Sequence, residues 1–209
     1  MEFYKRNLPH WQPKGAEYFI TFRLAGTLPK EAVLALKEKQ KQFNLMRIKS
    51  GLTSKQKSNF EAKIFETYDH LLDSETTGPT WLANKDVARI VQGSLHYFDQ
   101  DCYELYAYAI MSNHVHLAFR HLEENHNVDF PVTHIMKRIK SYTAKEANKI
   151  LGRKGKFWQA ESYDRVIRDD KELENKIRYT LSNPVKAGLV SDWNKWPYTF
   201  CKPEFIESL

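Results

Sequence analysis

Two histidines one residue apart, His114 and His116, stand in the run YAIMSNHVHLAFR, residues 108–120. Side chains alternate along a strand. Both imidazoles therefore share a face with Ala118 and Arg120, while Val115, Leu117 and Phe119 take the opposite, apolar face. Paired imidazoles are a metal site or an accident of packing, and a metal needs at least one more ligand from elsewhere in the chain. The segment DKELENKIRYTLSN, residues 170–183, offers one. At roughly 100° per residue, Leu173, Ile177, Thr180 and Leu181 form the core face of a helix. Glu172, Lys176, Tyr179 and Asn183 gather on another face, so Tyr179 is not a core aromatic of that helix. A tyrosine and an amide one turn apart can share one metal-bound phosphate; the competing reading is a solvated polar face.

The elements that must position these residues follow from periodicity and punctuation. EYFITFRL (17–24) alternates as a strand with Tyr18, Ile20, Phe22 and Leu24 on one face. LPKEAVLALKEKQKQFNLMRI has Pro29 near a helix start, and TSKQKSNFEAKIFETYDHLLD is a second helix with Thr53 or Ser54 as N-cap. DSETTGPTW ends it, and NKDVARIVQGSLHYFDQD reads as a third helix. CYELYAYAIMS is a long, buried strand that turns at SN into the histidine strand, a hairpin. VTHIMKRIKSYTAKEANKIL is amphipathic, with Val132, Ile135, Met136, Ile139 and Tyr142 as its apolar stripe. KFWQ and YDRVIRD read as short strands, the late helix stops at Pro184, and WNKWPYTF belongs to an aromatic tail. The expected fold is α+β: an antiparallel sheet of about four to five strands with helices on one face.

Composition narrows the class. The chain has 209 residues with 42% hydrophobic and 13% aromatic content, enough to bury a core. Cys102 and Cys201 are too few for a disulfide framework and suggest a reducing compartment. No apolar run reaches membrane-span length and the N-terminus shows no signal-peptide core, so a cytoplasmic protein is expected. Of the net charge of +6, residues 137–156 hold eight Lys or Arg against one Glu, a local +7; the remaining 24 basic and 25 acidic residues nearly cancel. Such clustering points to a polyanion, nucleic acid first, or to a charged helix face with no partner.

The segments YAIMSNHVHLAFR and FWQAESYDRVIRDDKELENKIRYTLSNPVKAGLV, taken in order, resemble the HUH endonucleases. The similarity is to the single-tyrosine transposases of small bacterial insertion sequences, and above all to their REP-associated relatives. LPHWQPKGAEYFITFRLAGTLP and the W..WPY tail are also similar to that branch. The resemblance covers about residues 5–29 and 100–198. It implies a ferredoxin-like (RRM-like) domain over 1–209, with a helical insertion at about 30–99 and a tail at about 190–209.

It further implies His114, His116 and, by position, Asn183 as ligands of Mg²⁺ or Mn²⁺, with Tyr179 as nucleophile. A glutamine stands at the third-ligand position in the transposases proper. The implied activity is cleavage and rejoining of single-stranded DNA at hairpins through a 5′-phosphotyrosine, by a monomer or homodimer. Lys137, Arg138, Lys140, Lys145, Lys149, Arg153, Lys154 and Lys176 would bind the DNA, and Lys176 would also favour the phenolate. Phe157 and Trp158 either stack on an extruded base or pack in the core, while Tyr142 and Tyr163 are read as packing residues. Two other functions compete: a catalytically weak REP-hairpin binding protein, and a zinc hydrolase. The hydrolase needs a further ligand, and His121, His126 and His134, read as surface residues, stand at no suitable spacing.

Overall fold

A computed structural model describes residues 15–50, 78–122 and 131–207, with part of the span 53–72. The chain divides into two compact units: residues 1–25 with 80–209, and Gly26–Pro79.

The first strand, β1 (Glu17–Arg23), leads out of the larger unit and into the smaller one. There α1 (Lys30–Ser50) starts directly after Pro29, whose carbonyl accepts from Val33 N at 3.1 Å. Helical residues resume between Gln56 and Leu72. Thr53 is their N-cap: its hydroxyl accepts from Gln56 N at 3.3 Å, and Gln56 Oε1 accepts from Thr53 N at 3.0 Å. Ser54, the other expected cap, lies outside the described residues. Phe43 and Phe60 stack with centroids 4.0 Å apart. Gly78 is required for close approach, since a Cβ there would lie 2.8 Å from Thr27 Cα.

The larger unit continues with a 3-10 turn (Trp81–Ala83), α2 (Lys85–Tyr97), β2 (Tyr103–Ile110), β3 (His114–His121) and α3 (Val132–Ile150). After these come β4 (Tyr163–Val166), α4 (Asp170–Lys186), a 3-10 turn (Trp193–Lys195), β5 (Thr199–Cys201) and the short α5 (Pro203–Ile206). The sheet is antiparallel in the order β4-β1-β3-β2-β5, so β3 lies at its centre. One face carries Tyr18, Ile20, Phe22, Leu105, Tyr108, Val115, Leu117 and Phe119. It is closed by Val87, Val91 and Leu95 of α2 and by Ile135, Met136 and Ile139 of α3. Burying this many large apolar side chains is the main stabilising contribution, about 2 kcal/mol for each.

Several expectations are corrected here. Helices cover both faces of the sheet, not one. α4 has its own apolar stripe of Leu173, Ile177 and Leu181 to bury. The second face offers it Phe19 of β1 and, where the helix crosses β2 and β3, the small residues Ala107, Ala109 and Ala118. The helix of residues 85–97 belongs to the sheet's core, so the intervening unit is Gly26–Pro79, narrower than 30–99. Part of the aromatic tail is a true edge strand, because Thr199–Cys201 pairs with Ala107–Ala109. KFWQ contributes one bridge, Leu24 to Trp158, and no strand.

Pro184 lies inside α4, which runs on to Lys186. Proline there removes one i→i−4 N–H donor, and the helix ends within a turn of it. Gly188, at φ +68°, then ends the helix: Leu189 N donates to Pro184 O at 2.9 Å and Gly188 N to Val185 O at 3.0 Å. Along α3 the stripe holds through Ile139 but not at Tyr142, which is 56% exposed. The neighbouring Thr143 turns inward instead, accepting from Trp158 Nε1 at 2.8 Å.

Candidate active site

The β2–β3 hairpin presents the histidines from a fixed tip. Ser112 O accepts from Leu82 N and Asn113 O from Leu24 N, so the two turn residues are tied to segments on either side. A bulge at Tyr106 inserts one extra residue into β2, between the pairs Leu105–Phe119 and Ala107–Ala118. Past the bulge, Ala109 stands opposite His116 on one side and Thr21 of β1 opposite it on the other.

Both rings are fully buried and both are held at Nδ1. Thr21 Oγ1 lies 2.8 Å from His116 Nδ1, and Asn113 Oδ1 lies 2.6 Å from His114 Nδ1. This leaves the two Nε2 atoms facing one another at 2.9 Å. Burial drives the His114 pKa down to about 3. It drives His116 well down too, reinforced by the nearby His114, Lys176 and Lys186. Both imidazoles are neutral at physiological pH, the form that binds metals.

Above them runs α4, opened by Asp169, whose Oδ1 accepts from Glu172 N at 2.8 Å. Glu172, counted with the polar face of this helix, is spent on that opening: it pairs with Arg165 and accepts from Arg168 N. Tyr179 is half-buried, with its ring edge-on to His116 at 5.4 Å and to Phe19 at 6.0 Å. Phe19 in turn stacks on His116. Two ammonium groups bracket the phenol: Lys176 Nζ stands 5.6 Å and Lys186 Nζ 4.9 Å from the ring centroid. One turn beyond Tyr179, Asn183 is 1% exposed; its Nδ2 donates to Tyr179 O at 2.8 Å. Its Oδ1 is buried and accepts no hydrogen bond from any described residue. A buried amide oxygen without a donor costs about 1–3 kcal/mol, so it is an open ligand position.

These residues fit a divalent cation. Two neutral nitrogens and one amide oxygen are a neutral donor set suited to Mg²⁺ or Mn²⁺ and leave coordination positions open. Among the described residues no group of three His, Cys, Asp or Glu can hold a metal ion. A third donor to such an ion would be the buried Asn183 Oδ1.

A family model described as transposase IS200 like matches residues 77–181, half of the chain, a span that includes His114, His116 and Tyr179. The chain belongs to the IS200-like transposase family. Within that family it is similar to a protein of Haemophilus influenzae named as a REP-associated tyrosine transposase, 29% identical over 102 residues. The alignment covers 46% of this chain and 58% of that relative's length. A solved structure of a REP-associated tyrosine transposase bound to a REP hairpin superposes with a TM-score of 0.54 at 18% identity. It covers 95% of this chain and 82% of the other, and so shares the transposase fold. No helix among the described residues is long and apolar enough to cross a membrane.

The remaining expected DNA contacts divide in two. Lys137, Lys145, Lys149 and Lys154 are exposed on α3 and its exit. Arg138, Lys140 and Arg153 are engaged within the protein. The Arg138 guanidinium lies over Phe98, and Lys140 Nζ donates to Gln159 O at 3.1 Å and to Ser162 Oγ. Arg153 lies 3.5 Å over the Trp81 ring and donates to Asn148 Oδ1 and Lys156 O. Phe157 and Trp158 are buried in the core, which removes them as base-stacking residues. His121 is buried at the end of β3, not on the surface; His134 is exposed and His126 lies outside the described residues.

Sequence reasoning missed Lys186, two turns after Tyr179, because it stopped the helix at Pro184. It also missed Thr21, Asn113 and Phe19. Asn113 precedes His114 and was visible only as a turn residue; Thr21 and Phe19 become visible through strand register alone.

Proposed function

We propose that this transposase is a metal-dependent single-strand DNA endonuclease and strand-transferase that acts at hairpins through Tyr179. The observation that carries the reading is the convergence of two neutral histidine Nε2 atoms, 2.9 Å apart, beneath a half-buried tyrosine. His114 and His116 with Asn183 would hold Mg²⁺ or Mn²⁺, which supplies Lewis-acid polarisation of a non-bridging phosphate oxygen and orientation for in-line attack. The rest is done by the chain. Buried histidines keep their lone pairs at neutral pH, when exposed ones would be partly protonated.

Tyr179 Oη forms the bond to phosphorus and the P–O3′ bond breaks. The phenol proton passes to water and the departing O3′ takes one up, leaving a 5′-phosphotyrosine and a free 3′-OH. A phenol with an ordinary pKa of about 10 is rarely ionised at pH 7. Lys176 and Lys186 favour the phenolate by charge and are placed to meet the phosphate. Because the phosphotyrosine is an ester like the one it replaced, another 3′-OH can reverse the step and join strands. The exposed Lys137, Lys145, Lys149 and Lys154 would hold the DNA backbone outside the site. The hairpin as substrate is supported by the solved transposase that shares this fold.

Purified protein and Tyr179→Phe, each incubated with end-labelled hairpin oligonucleotides from the gene's flanks, decide the matter. A covalent protein–DNA adduct that needs Mn²⁺, vanishes in EDTA and is absent from Tyr179→Phe is the expected result. Binding to several such hairpins with no adduct would instead identify a hairpin-binding protein of little catalytic power.

A further inference from the structure

Thr21 is the least conspicuous member of the histidine site, a fully buried hydroxyl on β1 directly opposite His116 in register. Its contact with His116 Nδ1 at 2.8 Å is chemically unlike the contact on the other ring. Asn113 presents Oδ1, a pure acceptor, to His114 Nδ1 at 2.6 Å. His114 must therefore carry its proton on Nδ1 and offer a lone pair at Nε2. A hydroxyl can donate or accept, so Thr21 is compatible with either tautomer of His116.

The two Nε2 atoms are 2.9 Å apart, which is a hydrogen-bond distance. Two facing lone pairs would repel; one N–H facing one lone pair attracts.

We infer that Thr21 is a positioning residue whose hydroxyl holds His116 Nδ1 in either tautomer and so readies the pair for a cation. In the metal-free protein, His116 Nε2–H donates to His114 Nε2 and the Thr21 hydroxyl donates to His116 Nδ1. When a divalent cation binds, the His116 proton resides on Nδ1, the Thr21 hydroxyl rotates to accept it, and both Nε2 lone pairs are released. The proton is relocated within one ring, through solvent or the site, and none is gained or lost overall. Without a hydroxyl at position 21, the Nδ1–H of the metal-bound tautomer would be buried with no acceptor from β1. Partners of this kind, which orient a metal-binding histidine, change affinity by roughly 10–100-fold. The role in metal loading rests on the function proposed above; the tautomer of the metal-free protein does not.

Two readouts test it. Nitrogen-15 NMR of histidine-labelled protein in EDTA should show His114 as the Nδ1–H tautomer and His116 as Nε2–H, with His116 changing to Nδ1–H on addition of Mg²⁺. Mn²⁺ binding followed by electron paramagnetic resonance should weaken 10–100-fold in Thr21→Val, with Thr21→Ser within about threefold of wild type and circular dichroism confirming that both variants fold. His116 found as Nδ1–H in EDTA, or Thr21→Val binding Mn²⁺ like wild type, would overturn the inference. Failure of the wild type to bind Mn²⁺ or Mg²⁺ would overturn the proposed function together with the metal-bound half of this assignment. The tautomer in EDTA would still decide the other half. Should Thr21→Val not fold, the wild-type tautomers and Thr21→Ser carry the test.

Discussion

The face of the sheet that carries the histidines and the outer side of α3 both collect polar groups, but they hold them in opposite ways. At that face, His114, His116 and Thr21 of the sheet and Asn183 of α4 are buried, and all four are held by contacts within hydrogen-bond distance. On α3, Lys137, Lys145 and Lys149 stand in water. A buried polar group must be satisfied or matched by a ligand, since leaving it unmatched costs kilocalories. A solvated lysine contributes to whatever anion passes and little to the fold. Removing one group from the first region should therefore be nearly all-or-none. Removing one from the second should be graded and dependent on salt.

The largest effect expected is at the histidines. His116→Ala removes one of the two converging nitrogens, and loss of a Lewis acid worth several kcal/mol corresponds to at least about a hundredfold drop in adduct formation. Hairpin affinity, measured by gel shift in EDTA, should change less than about threefold, because the exposed lysines of α3 are untouched. A comparable loss in both assays would erase the distinction between the two regions.

The second effect concerns stability. Both rings are buried as neutral imidazoles, with the His114 pKa lowered to about 3 by burial. The unfolded chain takes up these protons near pH 6.5 while the folded chain does not. Stability is therefore complete above that value and is lost as pH falls through 6.5 toward 3. At pH 5 the His114 contribution alone is about 2 kcal/mol. Urea midpoints in EDTA at pH 7 and pH 5 should show it, and His114→Gln should flatten the dependence. Unchanged midpoints in the wild type would mean that the rings are protonated more easily than their burial implies. No lysine on the outer side of α3 should contribute to such a slope.

The two regions were also unequally legible in the sequence. Alternation put His114 and His116 on one face, and a helical wheel separated Tyr179 and Asn183 from the core of α4, because both signals are local in sequence. The order of strands and helices was readable for the same reason. What escaped was whatever depends on register between distant segments. Thr21 is 95 residues from His116, and nothing near it announces a ring nitrogen opposite. The bulge at Tyr106 resets the alternation of β2 and has no sequence mark of its own. Helices on both faces went unforeseen because the alanines at 107, 109 and 118 look like neutral filler until α4 lies over them. Along α3, charge was legible but use was not: Arg153 reads like Lys149 in the sequence, yet only Arg153 has an indole beneath it.

That last pair gives the smallest effect and the finest test. Lys149 is exposed, so Lys149→Ala should leave stability within about 0.5 kcal/mol. It should lower the slope of log affinity against log salt by roughly 0.7–0.9, the amount expected for one phosphate contact. Arg153 lies over Trp81 and donates to Asn148 and Lys156 O. Arg153→Ala should cost about 1–2 kcal/mol of stability, seen as a lower urea midpoint, with a smaller change in the salt slope than Lys149→Ala gives. Two of its five N–H donors are already committed inside the protein and its plane lies on the indole, so a phosphate would compete with those contacts. If instead Arg153→Ala reduces the salt slope as much as Lys149→Ala and leaves the midpoint alone, the guanidinium faces DNA. The boundary between positioning and phosphate-holding residues on α3 would then move to include it.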